Sequence, residues 1–517
     1  MNFVQLALDN INKHGEYVFL SFEDQEYTNV EIERLSNRLA HGLVKKGLQK
    51  DDRVIVFLTN IPEVIISYQA IIRAGAIAVP ANPALSPQEL AYIIDHSETS
   101  IIITADVLTP TVRKATEISY QKPLVLVADS SREYTSLADC YADDDTFLMV
   151  DQPQDATAVM MYTSGTTGTP KGVMLSHHGL LTKTKGNAIQ MGYINPDGSR
   201  LMEKQSTLAV LPLSHIFGLA IMGDTYLAGG TIFLMSGFNV EKVLKCMEEK
   251  EITIFGGVPT MYAMLAAFPE AEKYDISLVE RWACGGAPLS PEIREAFEKR
   301  FNKQIMQGYG LTETGAGITV QRHNRPRKPG SSGLPTPGAE IRIVNDEGQS
   351  LPPGEVGEII VRGPYIMKGY YRNKAETERA IRDGWLYTGD VGYLDEEGEV
   401  YIVERKNDLI IRGGFNIYPS EVEKVLTSHP DISDAGVLGV PDERYGEKVC
   451  ALIVPNKGAV IDKKDIQLFC REKLANYKVP SYIEFRDSIP KNQLGKLLRR
   501  ELPALVNPAD LVEVKWD

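Results

Sequence analysis

Tyr162-Thr-Ser-Gly-Thr-Thr-Gly-Thr-Pro-Lys-Gly172 follows a mainly apolar run, Ala156 to Met161, and is expected to lead into a helix. Its eleven residues hold three glycines, four threonines, one serine and one lysine. A loop of this kind is dense in backbone N–H and hydroxyl donors and carries one fixed positive charge. Glycines let the backbone approach an anion closely, successive N–H groups form an anion-binding concavity, and the lysine supplies charge, so the loop suits a polyphosphate. It is not a Walker A loop, which requires G-x-x-x-x-G-K-[ST]; here Pro170 precedes Lys171 and Gly172 follows it.

Working outward, short apolar runs alternate with amphipathic stretches on both sides of the loop. Val54–Leu58, Ala76–Val79, Ile101–Thr104 and Leu124–Val127 read as buried strands before it, and Leu208–Leu211, Thr231–Leu234 and Ile252–Phe255 after it. Thr28-Asn-Val-Glu31 and Ser86-Pro-Gln-Glu89 have capping-box spacing, the second with proline at the first helical position. Alternating strands and helices imply a mostly parallel α/β sheet covered on both faces. Six aspartates between Asp139 and Asp155 suggest an exposed connector to the loop. From Pro326 to Gly357, Pro-Gly pairs punctuate short strands such as Ile341–Val344 and Glu358–Val361, the pattern of a small β-rich unit. Past Glu404-Arg-Lys-Asn-Asp408 the alternation resumes, with a helix expected from Ser420-Glu-Val-Glu423 and strands at Ala435–Val440 and Val449–Val454. These features divide the chain into residues 1–404, a large multi-subdomain α/β part with its β-rich unit, and residues 405–517, a smaller α+β part.

A chain of 517 residues is too long for one ordinary core. Lys+Arg 55 against Asp+Glu 69 gives a net charge of −14, which argues against a nucleic-acid partner and requires any phosphate site to be locally basic. The tail from Lys463 to Arg500 is such a region: ten Lys/Arg less four Asp/Glu leaves +6, which suits nucleotide or cofactor phosphates or, equally, a solvated basic face. Five scattered cysteines without a C-x-x-C pair fit reduced thiols of a cytoplasmic protein rather than a disulfide framework or a zinc site. No basic leader precedes an apolar run, and no stretch of 18 or more residues is free of polar groups, so no integral membrane segment is expected.

The order of further motifs adds a resemblance. Leu211-Pro-Leu-Ser-His-Ile-Phe-Gly-Leu219, Gly285-Gly-Ala-Pro288, Gln307-Gly-Tyr-Gly-Leu-Thr-Glu-Thr-Gly315, Trp385-Leu-Tyr-Thr-Gly-Asp390, Arg405 with Gly413-Gly414, and Pro490-Lys-Asn-Gln-Leu-Gly-Lys496 occur in sequence after the loop. Together they resemble the successive core motifs of the adenylate-forming superfamily, which contains acyl-CoA synthetases, peptide-synthetase adenylation domains and beetle luciferases. The pattern is most similar to bacterial fatty-acid CoA ligases, with aryl-acid ligases next, and spans nearly the whole chain.

The resemblance implies a carboxylic acid activated by ATP and Mg²⁺ as an acyl-adenylate and then transferred to coenzyme A. A carboxylate attacking the α-phosphate brings two anions together, so the site must neutralise charge and hold the groups in line. By resemblance, Thr163, Ser164, Gly165, Thr166, Thr167, Gly168 and Lys171 would hold the β- and γ-phosphates. Thr312 would bond the α-phosphate and Glu313 would bind Mg²⁺. Gly286, Ala287, Pro288 and Tyr309, with Gly310 beside it, would enclose adenine, and Asp390 with Arg405 would take the ribose. Lys496 would bridge the attacking carboxylate and the α-phosphate. Gly413 and Gly414 would line the thiol tunnel, and Asn407 would be the hinge of a mobile C-terminal domain. His215, Ile216, Phe217, Gly286, Leu311 and Ile318 would border the acid pocket.

Two positions depart from the family pattern. Asn407 stands where Asp or Lys is usual, and Glu404 where Gly or Asp is commoner. Ile216 occupies the position at which amino-acid-activating relatives place an aspartate, so an α-ammonium group would meet an apolar side chain. An α-amino acid is therefore not expected, and the resemblance to fatty-acid CoA ligases implies a medium- or long-chain fatty acid, with an aryl acid as the alternative. A carrier-protein phosphopantetheine is the alternative acceptor, and an inactive nucleotide-binding regulator is the reading from a different class. Monomer and homodimer both stay open.

Overall fold

The structure, a computed structural model, describes residues 2–129, 133–146, 148–163, 170–412, 415–442, 444–491, 495 and 497–514, with the backbone alone at Asn407. The chain forms two compact units, one of Met1–Ile341 and Val361–Leu386, the other of Arg342–Ile360 and Tyr387–Asp517.

In the first unit, the expected strands assemble among the described residues into an eight-stranded and a nine-stranded sheet. Ile77–Pro80, Arg53–Phe57, Thr99–Thr104 and Leu124–Val127 run parallel in the eight-stranded sheet, with Thr157–Thr163 parallel to Ile77–Pro80. Thr231–Leu234, Ser206–Ala209, Ile254–Gly257, Arg281–Cys284 and Ile305–Leu311 run parallel in the other. Most of their β-branched residues are buried, on both faces, as a parallel sheet covered by helices requires.

Helix starts follow the local chemistry. Thr28 and Ser86 each close a capping box, with Glu31 and Glu89 returning the bond to the cap backbone. On one side of the nine-stranded sheet, Phe255, Tyr262, Trp282 and Phe297 are at most 1% exposed and meet edge to face at centroid distances of 4.9 to 6.3 Å. Each such aromatic contact adds about 1 kcal/mol beyond the burial itself.

Glu340–Val344, Gly357–Arg362, Trp385–Leu394 and Val400–Arg405 form the expected β-rich piece, carried further along the chain than the Pro-Gly pairs marked. In the second unit, Ile432–Asp442 and Gly446–Pro455 make a long antiparallel pair, with Tyr482–Phe485 parallel to the latter. Helices Pro419–Thr427 and Lys463–Arg471 contribute Val422, Leu426, Ile466 and Cys470 to that unit's core. The helix expected from Ser420 begins one residue earlier. Pro419 supplies the first-turn φ, and Ser420 caps nothing; its N–H donates to Glu404 Oε2 at 2.7 Å.

Candidate active site

The quoted loop joins two strands rather than a strand to a helix. Thr157–Thr163 pairs antiparallel with Lys171–Ser176, with Thr163 opposite Lys171 and Tyr162 opposite Gly172. The expected helix begins only at His177, where Ser176 accepts from Gly179 N–H. Val173 and Leu175, buried two residues apart, favour a pleated strand over a helix turn. This hairpin is a second distinction from a Walker A loop, in which a helix follows directly. Ser164, Gly165, Thr166, Thr167 and Gly168 lie outside the described residues.

Lys171 stands at the mouth of the hairpin and meets two residues that sequence reading did not single out. Its Nζ pairs with Glu376 of the helix Lys374–Ala380, and lies 5.0 Å from the centre of the Tyr370 ring. Glu376 Oε1 also accepts from Arg379 at 2.7 Å. The Lys171 contact, aided by Arg379, holds the Glu376 carboxyl below its usual range. The short strand Gly369–Tyr370 pairs with Lys171–Ser176, which aims Tyr370 Oη at Glu313 Oε1, 2.9 Å away. A fixed cation and a carboxylate remote in sequence thus flank one tyrosine. Nothing local in the sequence marks Tyr370 or Glu376, because their partners are brought in only by strand pairing.

Glu313 and Thr312 belong to a single turn, Thr312–Thr314, between the antiparallel strands Ile305–Leu311 and Ala316–Val320. Thr314 Oγ1 accepts from Leu311 N–H and its single O–H lies within reach of the Leu311 and Ala316 carbonyls, at 2.8 and 2.7 Å, so the turn is held from both ends. Gly310 has no room for a side chain: a Cβ there would stand 2.1 Å from the Ala316 oxygen. Met367 N–H donates to the Glu313 carbonyl at 2.8 Å.

Tyr309, half-buried, and Gly286-Ala287-Pro288 emerge from the C-terminal ends of neighbouring parallel strands, Ile305–Leu311 and Arg281–Cys284. That edge is where open α/β sheets bind ligands. Gly286 has φ +79°, a backbone state that favours glycine. His215 caps the helix Ile216–Ala228, its Nδ1 accepting from Phe217 N–H at 3.3 Å. The surrounding protein lowers its pKa, so the exposed imidazole is neutral at pH 7. The Phe217 ring lies against Gly285 and Gly256, where a Cβ would come within 3.5 Å of it. Leu311 is half-buried, whereas Ile216 is buried and Ile318 is fully enclosed.

In the second unit, Asp390 and Arg405 face each other across paired strands and join through Nε–Oδ1 at 2.8 Å. Asp390 is 4% exposed and takes the position of a fixed acceptor. Asn407 lies in the turn Lys406–Asp408, and both flanking residues are ion-paired. Lys406 reaches Asp346 and Glu358, each at 2.9 Å, and Asp408 reaches Arg499 at 3.3 Å. Arg499 also pairs with Glu423 and approaches Glu404 at 3.5 Å. Glu404 therefore ties the strand before the turn to both Arg499 and the helix at Ser420. Gly413, Gly414 and Lys496 lie outside the described residues.

Among the described residues no group of three or more His, Cys, Asp or Glu side chains could hold a metal ion. The single carboxylate of Glu313 fits Mg²⁺, which takes few protein oxygens and completes its shell with substrate phosphate and water.

A profile of the AMP-binding enzyme family matches residues 8–371, and one of the AMP-binding enzyme C-terminal domain matches residues 421–496. The chain belongs to the AMP-binding enzyme family. It is 37% identical to a long-chain-fatty-acid–CoA ligase of Bacillus subtilis (strain 168), over 96% of this chain and 93% of that protein. It is 36% identical to a feruloyl-CoA synthase of Amycolatopsis sp, over 92% of this chain and 93% of that protein. The ATP-bound crystal structure of MatB from Rhodopseudomonas palustris superposes with a TM-score of 0.87 at 30% identity, covering 98% of this chain and 99% of that one. This AMP-binding enzyme is an acid–thiol ligase of the AMP-forming acyl-CoA synthetase class, using ATP and coenzyme A. No helix among its described residues is long and apolar enough to cross a membrane.

Proposed function

We propose that this AMP-binding enzyme activates a medium- or long-chain fatty acid as its acyl-adenylate and transfers the acyl group to coenzyme A. The observation that carries the reading is the Lys171–Tyr370–Glu313 cluster, in which the cation proposed to bind phosphate lies over the Tyr370 ring and the carboxylate proposed to bind metal meets its hydroxyl. Lys171, Thr163 and the loop between them would hold the β- and γ-phosphates, and Thr312 the α-phosphate. Glu313 would hold Mg²⁺, which when bound offsets the negative charge of the phosphates. Gly286–Pro288, Tyr309 and Gly310 would hold adenine, while Asp390, oriented by Arg405, accepts from the ribose hydroxyls.

Lys496 would then carry the charge that brings the acid carboxylate onto the α-phosphate. Neutral His215 would border the acid together with Phe217 and Leu311. For the thioester step, residues from about 405 onward would turn about Asn407, bringing Gly413 and Gly414 to the thiol. The ion pairs of Lys406 and Asp408 hold the residues on either side of Asn407.

The fatty-acid assignment is supported by Ile216 and the apolar face it continues, and by the likeness to the Bacillus subtilis ligase. An aryl acid is the second reading, favoured by the likeness to the feruloyl-CoA synthase. Purified protein with ATP, Mg²⁺ and CoA would be offered straight-chain acids of graded length, benzoates and cinnamates, with products read by mass spectrometry. Acyl-CoA and AMP from the longer aliphatic acids are expected; turnover of cinnamates alone would reverse the order of the two readings. Acyl-AMP without thioester would point to a carrier-protein acceptor, and nucleotide binding without turnover of any acid would refute the enzyme reading.

A further inference from the structure

Lys183 and Asp224 lie within the first unit, on helices His177–Gln190 and Ile216–Ala228, and are only 2% and 5% exposed. A buried lysine and aspartate are costly unless they are paired or hydrogen-bonded. Here each is satisfied in part. Lys183 Nζ donates to the Gly317 carbonyl and to Thr336 Oγ1 at 3.3 Å, and stands 5.0 Å from the centre of the Tyr365 ring. Asp224 Oδ2 accepts from Asn187, and Oδ1 has no partner among the described residues.

Between the two helices and the turn at Gly315 is a cavity of about 10 Å³, in which Lys183, Thr184, Asn187 and Asp224 form the polar side of an otherwise mainly apolar lining. That is room for one water, and a buried water needs two or more polar partners. An ammonium has three donors, of which two are used by Gly317 and Thr336. One water there would accept from that third donor and donate to Asp224 Oδ1.

The Lys183 contact falls on a strained segment. Gly315 has φ +63°, and Ala316, which is not glycine, has φ +116°. A residue in that state persists only where its surroundings over-determine it. Two contacts do so here, Thr314 Oγ1 on the Ala316 carbonyl and Lys183 on the Gly317 carbonyl. The same segment begins with Thr312 and Glu313. We propose that Lys183 and Asp224, joined by one water in this cavity, are positioning residues that hold the nucleotide-facing turn Thr312–Gly317 in its strained form. The inference rests on reading Thr312 and Glu313 as nucleotide and metal residues.

Burial pushes Lys183 down to about 7 and Asp224 up to about 8, so the pair changes charge near neutral pH. Tyr193 and Tyr365, which face it, are raised by burial and stay neutral there. The raised Asp224 pKa makes the folded chain bind the extra proton, so this group's contribution to stability falls as pH rises from about 4 to about 8. The lowered Lys183 pKa acts oppositely, its contribution rising from about pH 7 to about 10.5.

The test uses the full chain with Asp224→Asn, Lys183→Met and the double variant. Ligand-free urea midpoints between about pH 5 and 9 should lose their decline toward pH 7 in Asp224→Asn. Calorimetric MgATP affinity should weaken at least about fivefold in each single variant, and the double variant should be no worse than the weaker single one. MgATP affinity within about twofold of the parent in both folded single variants would overturn the proposal, as would effects that multiply in the double variant. Glu313→Gln is the control: parent-like MgATP affinity there would place the failure in the reading of the turn, and the proposal would fall with it.

Discussion

Replacing Glu376 by glutamine should tighten MgATP binding. In the ligand-free protein the cation at the hairpin mouth is already neutralised: Lys171 and Glu376 pair with side-chain exposures of 11% and 21%. On the role proposed for Lys171, a triphosphate takes it from that carboxylate and then sits beside a displaced negative charge. Exposed ion pairs are worth up to about 1 kcal/mol, and partial burial raises this figure. A unit charge about 5 Å from a phosphate costs roughly 3 kcal/mol at an effective dielectric of 20. Solvent screening at this partly exposed carboxylate, together with the exposed Arg379 2.7 Å from it, offsets much of that repulsion once Lys171 has left. The net penalty on nucleotide binding is thus about 1 to 1.5 kcal/mol, or roughly five- to tenfold in affinity.

Glutamine keeps the shape and removes the charge. Titration calorimetry with MgATP should show Glu376→Gln binding about five- to tenfold more tightly, with the KM for ATP in ATP–pyrophosphate exchange falling in parallel. Arg379→Ala should move the other way, because it removes the carboxylate's alternative partner. Unchanged or weaker MgATP binding in a folded Glu376→Gln protein would refute the reasoning, since Lys171 would then not be the group that nucleotide competes for.

Three further outcomes are expected. Lys496→Ala should abolish adenylate formation, measured by pyrophosphate exchange, while thioester formation from pre-made acyl-adenylate stays largely intact; equal loss of both would remove its assigned role. Asn407→Pro, between two ion-paired neighbours, should impair one half-reaction selectively in single-turnover assays, and equal effects on both would argue against a hinge. Gly310→Ala forces a Cβ to within 2.1 Å of the Ala316 oxygen and should cost about 2 kcal/mol or more, with a lower denaturation midpoint and weakened MgATP binding.

Local chemistry made much of this protein legible. Capping boxes at Thr28 and Ser86, the buried apolar strands and the mostly parallel α/β order are short-range properties, set by neighbours within a few residues. The family was likewise legible as a resemblance, in the order of several motifs along the chain. Where a strand–loop–helix was expected at Tyr162–Gly172, pairing of Lys171–Ser176 with Thr157–Thr163 prevailed, because burial of Val173 and Leu175 was decided across the sheet.

What the sequence alone determined was the class of enzyme and the layered α/β architecture, and its motifs named the residues proposed to face nucleotide. What only the tertiary structure decided was their company. Glu376 on Lys171, Tyr370 on Glu313, Arg499 beside Asp408, and Lys183 on the strained turn join residues far apart in the chain. Electrostatic and hydrogen-bond partners depend on distance in space, and no local pattern encodes a partner that a strand crossing or a helix packing supplies.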